Sequence, residues 1–161
     1  MKSLGVLASV LAVVSAASVL PRNVQFPAGA VVTNIAAADI PEVIRNGTVS
    51  AENVASLSKR ATIGVFLCTD ANFQGHCVHI VSPTNVCVPL GSDLNDQVSS
   101  VGPDQDAGDC RFNFDAGCTD DNGCLHFDTS FPGIADLNTQ SHFVCGVNNP
   151  NDKVTSYQCF G

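Results

Sequence analysis

The 161-residue chain has no tryptophan, one tyrosine and one methionine, and after Arg60 it has no glutamate and only two cations, Arg111 and Lys153. The missing glutamate excludes a Glu-based acid/base pair from that part. Two cations against twelve aspartates leave a formal charge of −10 beyond Arg60. Such a surface repels phosphate backbones and anionic membranes, so no nucleic-acid partner is expected. No Gly-x-Ser-x-Gly elbow, His-Glu-x-x-His pair or phosphate loop is present. His76, His79, His126 and His142 therefore read as surface or packed residues, and the chain as a non-enzyme. No Cys-x-x-Cys knuckle suggests zinc. The longest apolar run falls short of the ~20 residues of a membrane span, so no membrane insertion is expected.

What is present is ordered along the chain. Met1-Lys2, an apolar stretch from Leu4 to Val14 and the small residues Ser15-Ala16-Ala17 have the pattern of a secretory signal over residues 1–17. Residues 18–60 contain no cysteine, are rich in Ala, Val, Asn and Pro, and end in Lys59-Arg60. A dibasic pair suits a subtilisin-like processing protease, which makes 18–60 a pro-segment. It carries the one glycosylation sequon, Asn46-Gly47-Thr48. Residues 61–161 hold all eight cysteines: Cys68, Cys77, Cys87, Cys110, Cys118, Cys124, Cys145 and Cys159. That number after a signal implies about four disulfides in an oxidising, extracellular setting, with the pairing left open.

The patterning of this part is all-β. Ile63 to Cys68 and Cys77 to Val81 are short β-branched runs flanking an Asp/Asn/Gly turn. Cys110 to Phe114 alternates, Cys124 to Phe127 returns after a polar turn, and His142 to Val147 and Val154 to Phe160 read as further strands. Leu90 to Val101 is too polar and broken for a helix. Asn95-Asp96-Gln97-Val98-Ser99-Ser100 recurs as Asn151-Asp152-Lys153-Val154-Thr155-Ser156. Each copy follows an aromatic strand and a glycine nine residues on, Phe66 to Gly75 and Phe114 to Gly123. Two related units follow, the second carrying an insertion within Thr129 to Ser141.

Each hexapeptide offers an amide, a carboxylate, two hydroxyls and backbone carbonyls. This is hard-oxygen chemistry without Cys or His, and it points to calcium rather than a softer metal. Asn, Asp and Ser also serve as turn formers; the repetition favours the metal.

The spacing resembles the (N/D)(N/D)xx(S/T)S calcium motif of the βγ-crystallin superfamily, and Phe73-Gln74-Gly75 resembles that family's hairpin signature. The likeness spans nearly all of Ile63 to Gly161. It implies two Greek-key units forming a sandwich of antiparallel sheets, and two calcium sites. In each, the third residue (Gln97, Lys153) would supply a carbonyl, the fifth (Ser99, Thr155) a hydroxyl and the second (Asp96, Asp152) a carboxylate. A hairpin carbonyl, Thr69 or Gly117, would complete the set, while Asn95 and Asn151 would hold the loops. The family's corner tyrosine is replaced by Cys68 and, counting back from Gly123, by Ala116; Asp121 stands where an aromatic belongs. Disulfide-rich extracellular variants, the killer-toxin-like and small secreted fungal proteins, are similar in outline. The expected function is a secreted, monomeric calcium-binding module. The alternative is a toxin or effector that meets a host or competitor surface target through Phe131-Pro132-Gly133-Ile134, against which stands the plainer reading that Phe131 and Ile134 pack under their own loop.

Overall fold

The computed structural model describes residues 26–46, 62–119, 125–140 and 149–161. Their strands are β1 (Val31–Ile35), β2 (Thr62–Asp70), β3 (Gln74–Pro83), β4 (Val88–Pro89), β5 (Ser100–Pro103), β6 (Asp109–Asn113), β7 (His126–Thr129) and β8 (Ser156–Phe160); a short helix α1 spans Glu42–Asn46. They form two four-stranded sheets, ordered β1-β3-β2-β5 and β4-β8-β6-β7, with antiparallel pairing throughout.

Alternation explains the packing. Ile63, Val65 and Leu67 of β2 face the second sheet together with Val78 and Ile80 of β3, and all are buried in one core. The second sheet answers with Phe112, stacked between Phe127 at 5.1 Å and Tyr157 at 5.9 Å. β2 is buried on its other face as well. Phe66 and Cys68 pack there with Phe73, Cys77, Ile40 and Ile44 in a second cluster.

The units exchange strands. β4 of the first unit pairs with β8, Val88 opposite Tyr157, while Ile134 of the second unit bridges Val101 on β5. Two matching hydrogen bonds fix this exchange: Leu90 N donates to Thr155 O, and Leu137 N to Ser99 O, each at 2.9 Å. The all-β, two-unit sandwich expected from the resemblance is present.

Among the described residues, three disulfides staple it. Cys68–Cys77 and Cys110–Cys159 join cross-strand partners, and Cys87–Cys118 ties the loop before β4 to the hairpin after β6. Cys124, Cys145 and the strand expected over His142 to Val147 lie outside the described residues.

Strands β1, β4 and β5 and the helix α1 have no counterpart in the strands read from the sequence, and β1 lies furthest from them. β1 comes from the stretch read as pro-segment and pairs with β3 over five residues, Val31 opposite Val81 to Ile35 opposite Cys77. The signal peptide and the Lys59-Arg60 boundary themselves lie outside the described residues. Asn46 closes α1 and is exposed.

Candidate functional site

The two hexapeptides lie side by side at the junction of the units. Asp96 N donates to Val154 O and Asp152 N to Val98 O, both at 3.1 Å, so each motif's second residue is held by the other's fourth. Asp96 and Asp152 sit in the left-handed region, at φ 57° and 55°. Asparagine and aspartate tolerate that conformation better than other non-glycine residues, which is one reason these types occur here.

The side chains pair crosswise. Ser99 Oγ donates to Asp152 Oδ1 at 3.3 Å, and Thr155 Oγ1 to Asp96 Oδ1 at 3.2 Å. Thr155 Oγ1 also lies 3.4 Å from Lys153 O. Hydroxyl and carbonyl therefore come from one hexapeptide and the carboxylate from the other. Asn95 Nδ2 donates to Asp96 Oδ2 at 2.9 Å and Asn151 Nδ2 to Asp152 Oδ2 at 2.8 Å. Each first-position asparagine thus orients its neighbouring carboxylate and leaves the second oxygen facing across. The Lys153 ammonium turns away from the carboxylates and donates to Asn149 O. Gln97 keeps its side chain outside the arrangement, on Ser92 O.

The sixth residues had no separate role in the sequence reading. Ser100 Oγ accepts from Phe73 N at 3.2 Å and donates to Asp70 O at 2.8 Å; Ser156 Oγ accepts from Cys118 N at 3.1 Å and donates to Asp115 O at 2.6 Å. Each serine staples the hairpin of its own unit to its hexapeptide. Their repetition at one motif position was the available signal.

These bonds also correct the alignment of the two hairpins. Glycine spacing equates Cys68 with Ala116, whereas the serine bonds equate Asp70 with Asp115 and Phe73 with Cys118. Ser99 N bonds to Cys68 O and Thr155 N to Asn113 O, in the same relation. The counterpart of Thr69 is then Phe114, not Gly117. The glycine count fails because the serine hydroxyl, not a glycine, sets where the hairpin folds back. Phe73 and Cys118 both take left-handed conformations, at φ 56° and 50°. The aromatic anchor of the first hairpin is thus replaced in the second by the Cys87–Cys118 bridge. Asp115 Oδ1 completes that turn by accepting from Gly117 N at 3.1 Å, Thr119 N at 3.2 Å and Thr119 Oγ1 at 3.0 Å.

Other residues singled out in the sequence lie apart from this junction. His79 stacks on Phe66 at 4.2 Å and meets Asp104 at 3.2 Å, while His76 meets Asp93 at 3.3 Å. Phe131 and Ile134 do not form an exposed tip. Phe131 packs against the Phe66–Phe73 cluster and Ile134 against the main core.

No family model and no curated protein matches the chain. A solved structure described as "Evolution of the eye lens beta-gamma-crystallin domain fold" is similar over 70% of this chain and 92% of its own, at 24% identity and a TM-score of 0.43.

Proposed function

We propose that the chain is a secreted calcium-binding module with two pseudo-symmetric sites, each assembled from both hexapeptides. The observation that carries this is the crosswise pairing of Ser99 with Asp152 and Thr155 with Asp96. One site takes Thr155 Oγ1, Lys153 O and Asp96 Oδ1. The other takes Ser99 Oγ, Gln97 O and Asp152 Oδ1. The hairpin carbonyls of Phe114 and Thr69, equivalent by the register of the serine bonds, would complete the protein ligands. The donors are all hard oxygens, the set calcium accepts in a tolerant geometry, with water completing its six to eight ligands. One carboxylate per site suits the roughly 10⁻⁴–10⁻³ M affinities of extracellular modules. Bound calcium supplies positive charge to a strongly acidic surface and cross-links the two units, and the disulfides add stability suited to an oxidising extracellular space.

Calorimetric titration of the full chain with Asp96→Ala, Asp152→Ala and Thr155→Val tests this. Each aspartate variant should lose one of two sites. Thr155→Val should add nothing to Asp96→Ala and should abolish the remaining site in Asp152→Ala. No heat from the wild type at millimolar calcium overturns the reading. Additive losses from Thr155→Val in the Asp96→Ala background overturn the crosswise assembly.

A further inference from the structure

The outer face of the first sheet is apolar and is covered by a segment outside the two-unit sandwich. Phe66, Phe73 and the Cys68–Cys77 bridge form its floor, and Phe131 with Ala135 forms one wall. The cover is the chain's own residues 31–46. β1 adds a fourth strand to the edge of β3, a 3-10 turn at Ala37–Asp39 follows, and α1 lays Ile44 on the floor beside Ile40. Ile40 and Ile44 are 1% and 4% exposed, whereas Val31 and Val32 on β1 are 59% and 39% exposed. The segment is therefore held by a five-residue ladder and by Ile40 and Ile44, with Ile35 and Ala37 packed beside them and Phe26 just before it against the main core, while most of β1 faces solvent. Gly102 marks how closely it approaches. A Cβ there would lie 2.5 Å from Ile44 Cγ2 and 3.2 Å from Phe73 Cε1.

This is the geometry of strand addition, in which main-chain bonds give affinity and side-chain pockets give selectivity. A tether strengthens such an intramolecular contact by supplying a high effective concentration, and cutting the tether removes that advantage. The sequence places a Lys59-Arg60 pair between the segment and β2.

We propose that the β3 edge and the Phe66–Phe73 floor form a docking surface for an extended peptide strand, occupied in the precursor by residues 31–46 and vacated when the chain is cut after Arg60. The release step rests on the reading of Lys59-Arg60 as a processing site. The partner is a strand that pairs along β3 and carries branched aliphatic side chains five and nine residues beyond the end of its ladder, as Ile40 and Ile44 follow Ile35. The −10 charge beyond Arg60 disfavours a strongly acidic strand, and residues 31–46 carry only Asp39 and Glu42 against Arg45.

Amide exchange on the full-length protein tests this, before and after cleavage by a Lys-Arg-specific protease, beside an uncut Ile40→Asp/Ile44→Asp variant. The β3 amides facing β1 should exchange at least about tenfold faster in the cut protein and in the variant. Protection of β2, β5 and the second sheet should persist. A synthetic peptide of residues 26–46 should restore β3 protection in the cut protein, and should fail to do so in a cut Gly102→Val protein. Unchanged β3 exchange after cleavage and dilution overturns release. Loss of protection across both sheets overturns the docking surface, because the segment is then part of the fold. If the protease leaves Arg60 uncut, the release step fails, while the uncut variant still decides the surface.

Discussion

Tyr157 is the chain's single tyrosine, fully buried, with its hydroxyl donating to Ile80 O at 3.4 Å across the two sheets. Burial holds its phenol well above the ordinary value near 10, with a smaller upward push from Asp104 and an opposing hydrogen bond to Ser82. A group whose folded pKa is raised contributes stability below the unfolded pKa and loses it as pH rises towards the folded value. Stability should therefore hold to about pH 10 and fall above it. The phenolate absorbance band should emerge only with unfolding, and Tyr157→Phe should flatten the alkaline decline in melting temperature. Asn113 shows the opposite situation. It is fully buried, and neither side-chain amide atom has a hydrogen-bond partner. An unmade buried hydrogen bond costs about 1–3 kcal/mol, so Asn113→Leu should leave the protein equally or more stable in thermal melts.

At the scale of elements, the disulfides have unequal reach. Cys68–Cys77 closes 9 residues within one hairpin, Cys87–Cys118 closes 31 and Cys110–Cys159 closes 49. Loop-closure entropy then gives about 2.6, 3.7 and 4.1 kcal/mol respectively. Replacing each pair by alanine should lower urea midpoints in that order, and an inverted order would show that local packing outweighs chain entropy. Cys87–Cys118 should stand out in a second readout. It anchors the hairpin next to Phe114, so its loss should weaken calcium binding at the proposed Lys153/Thr155 site more than at the proposed Gln97/Ser99 site. The long strands β2, β3 and β6 were legible because their alternation or β-branched runs span several residues. β1 and β4 were not. β4 has two residues, too few to show a period, and β1 is an edge strand whose residues other than Ile35 face mostly solvent.

For the whole molecule, the governing quantity is a charge of −10 beyond Arg60, concentrated on a small sandwich. Cations that bind only the folded state stabilise it by mass action, and calcium at ten times its dissociation constant should add about 1.4 kcal/mol per site. Differential scanning calorimetry should show a clear rise in melting temperature with calcium and a much smaller one with equal ionic strength of sodium chloride. The Asp96→Ala/Asp152→Ala protein should respond to both salts alike. Equal responses in the wild type would reduce the calcium effect to screening.

The amino-acid sequence by itself determined the oxygen chemistry of the two hexapeptides, the all-β class and the dependence on cysteine, because each is written in contiguous residues or in composition. The tertiary structure decided which oxygens meet. Ser99 faces Asp152 and Thr155 faces Asp96 across separations of 53 and 59 residues, a pairing set by strand exchange between the units. It also decided that Ile134, an apparent loop tip, belongs to that exchange, and that the hairpins align through serine hydroxyls rather than glycines. The stretch before Lys59-Arg60 carries the same lesson. Its composition suggests a segment to be discarded, while only the fold shows that Ile40 and Ile44 find an apolar face to bury against, since burial depends on what the rest of the chain brings within reach.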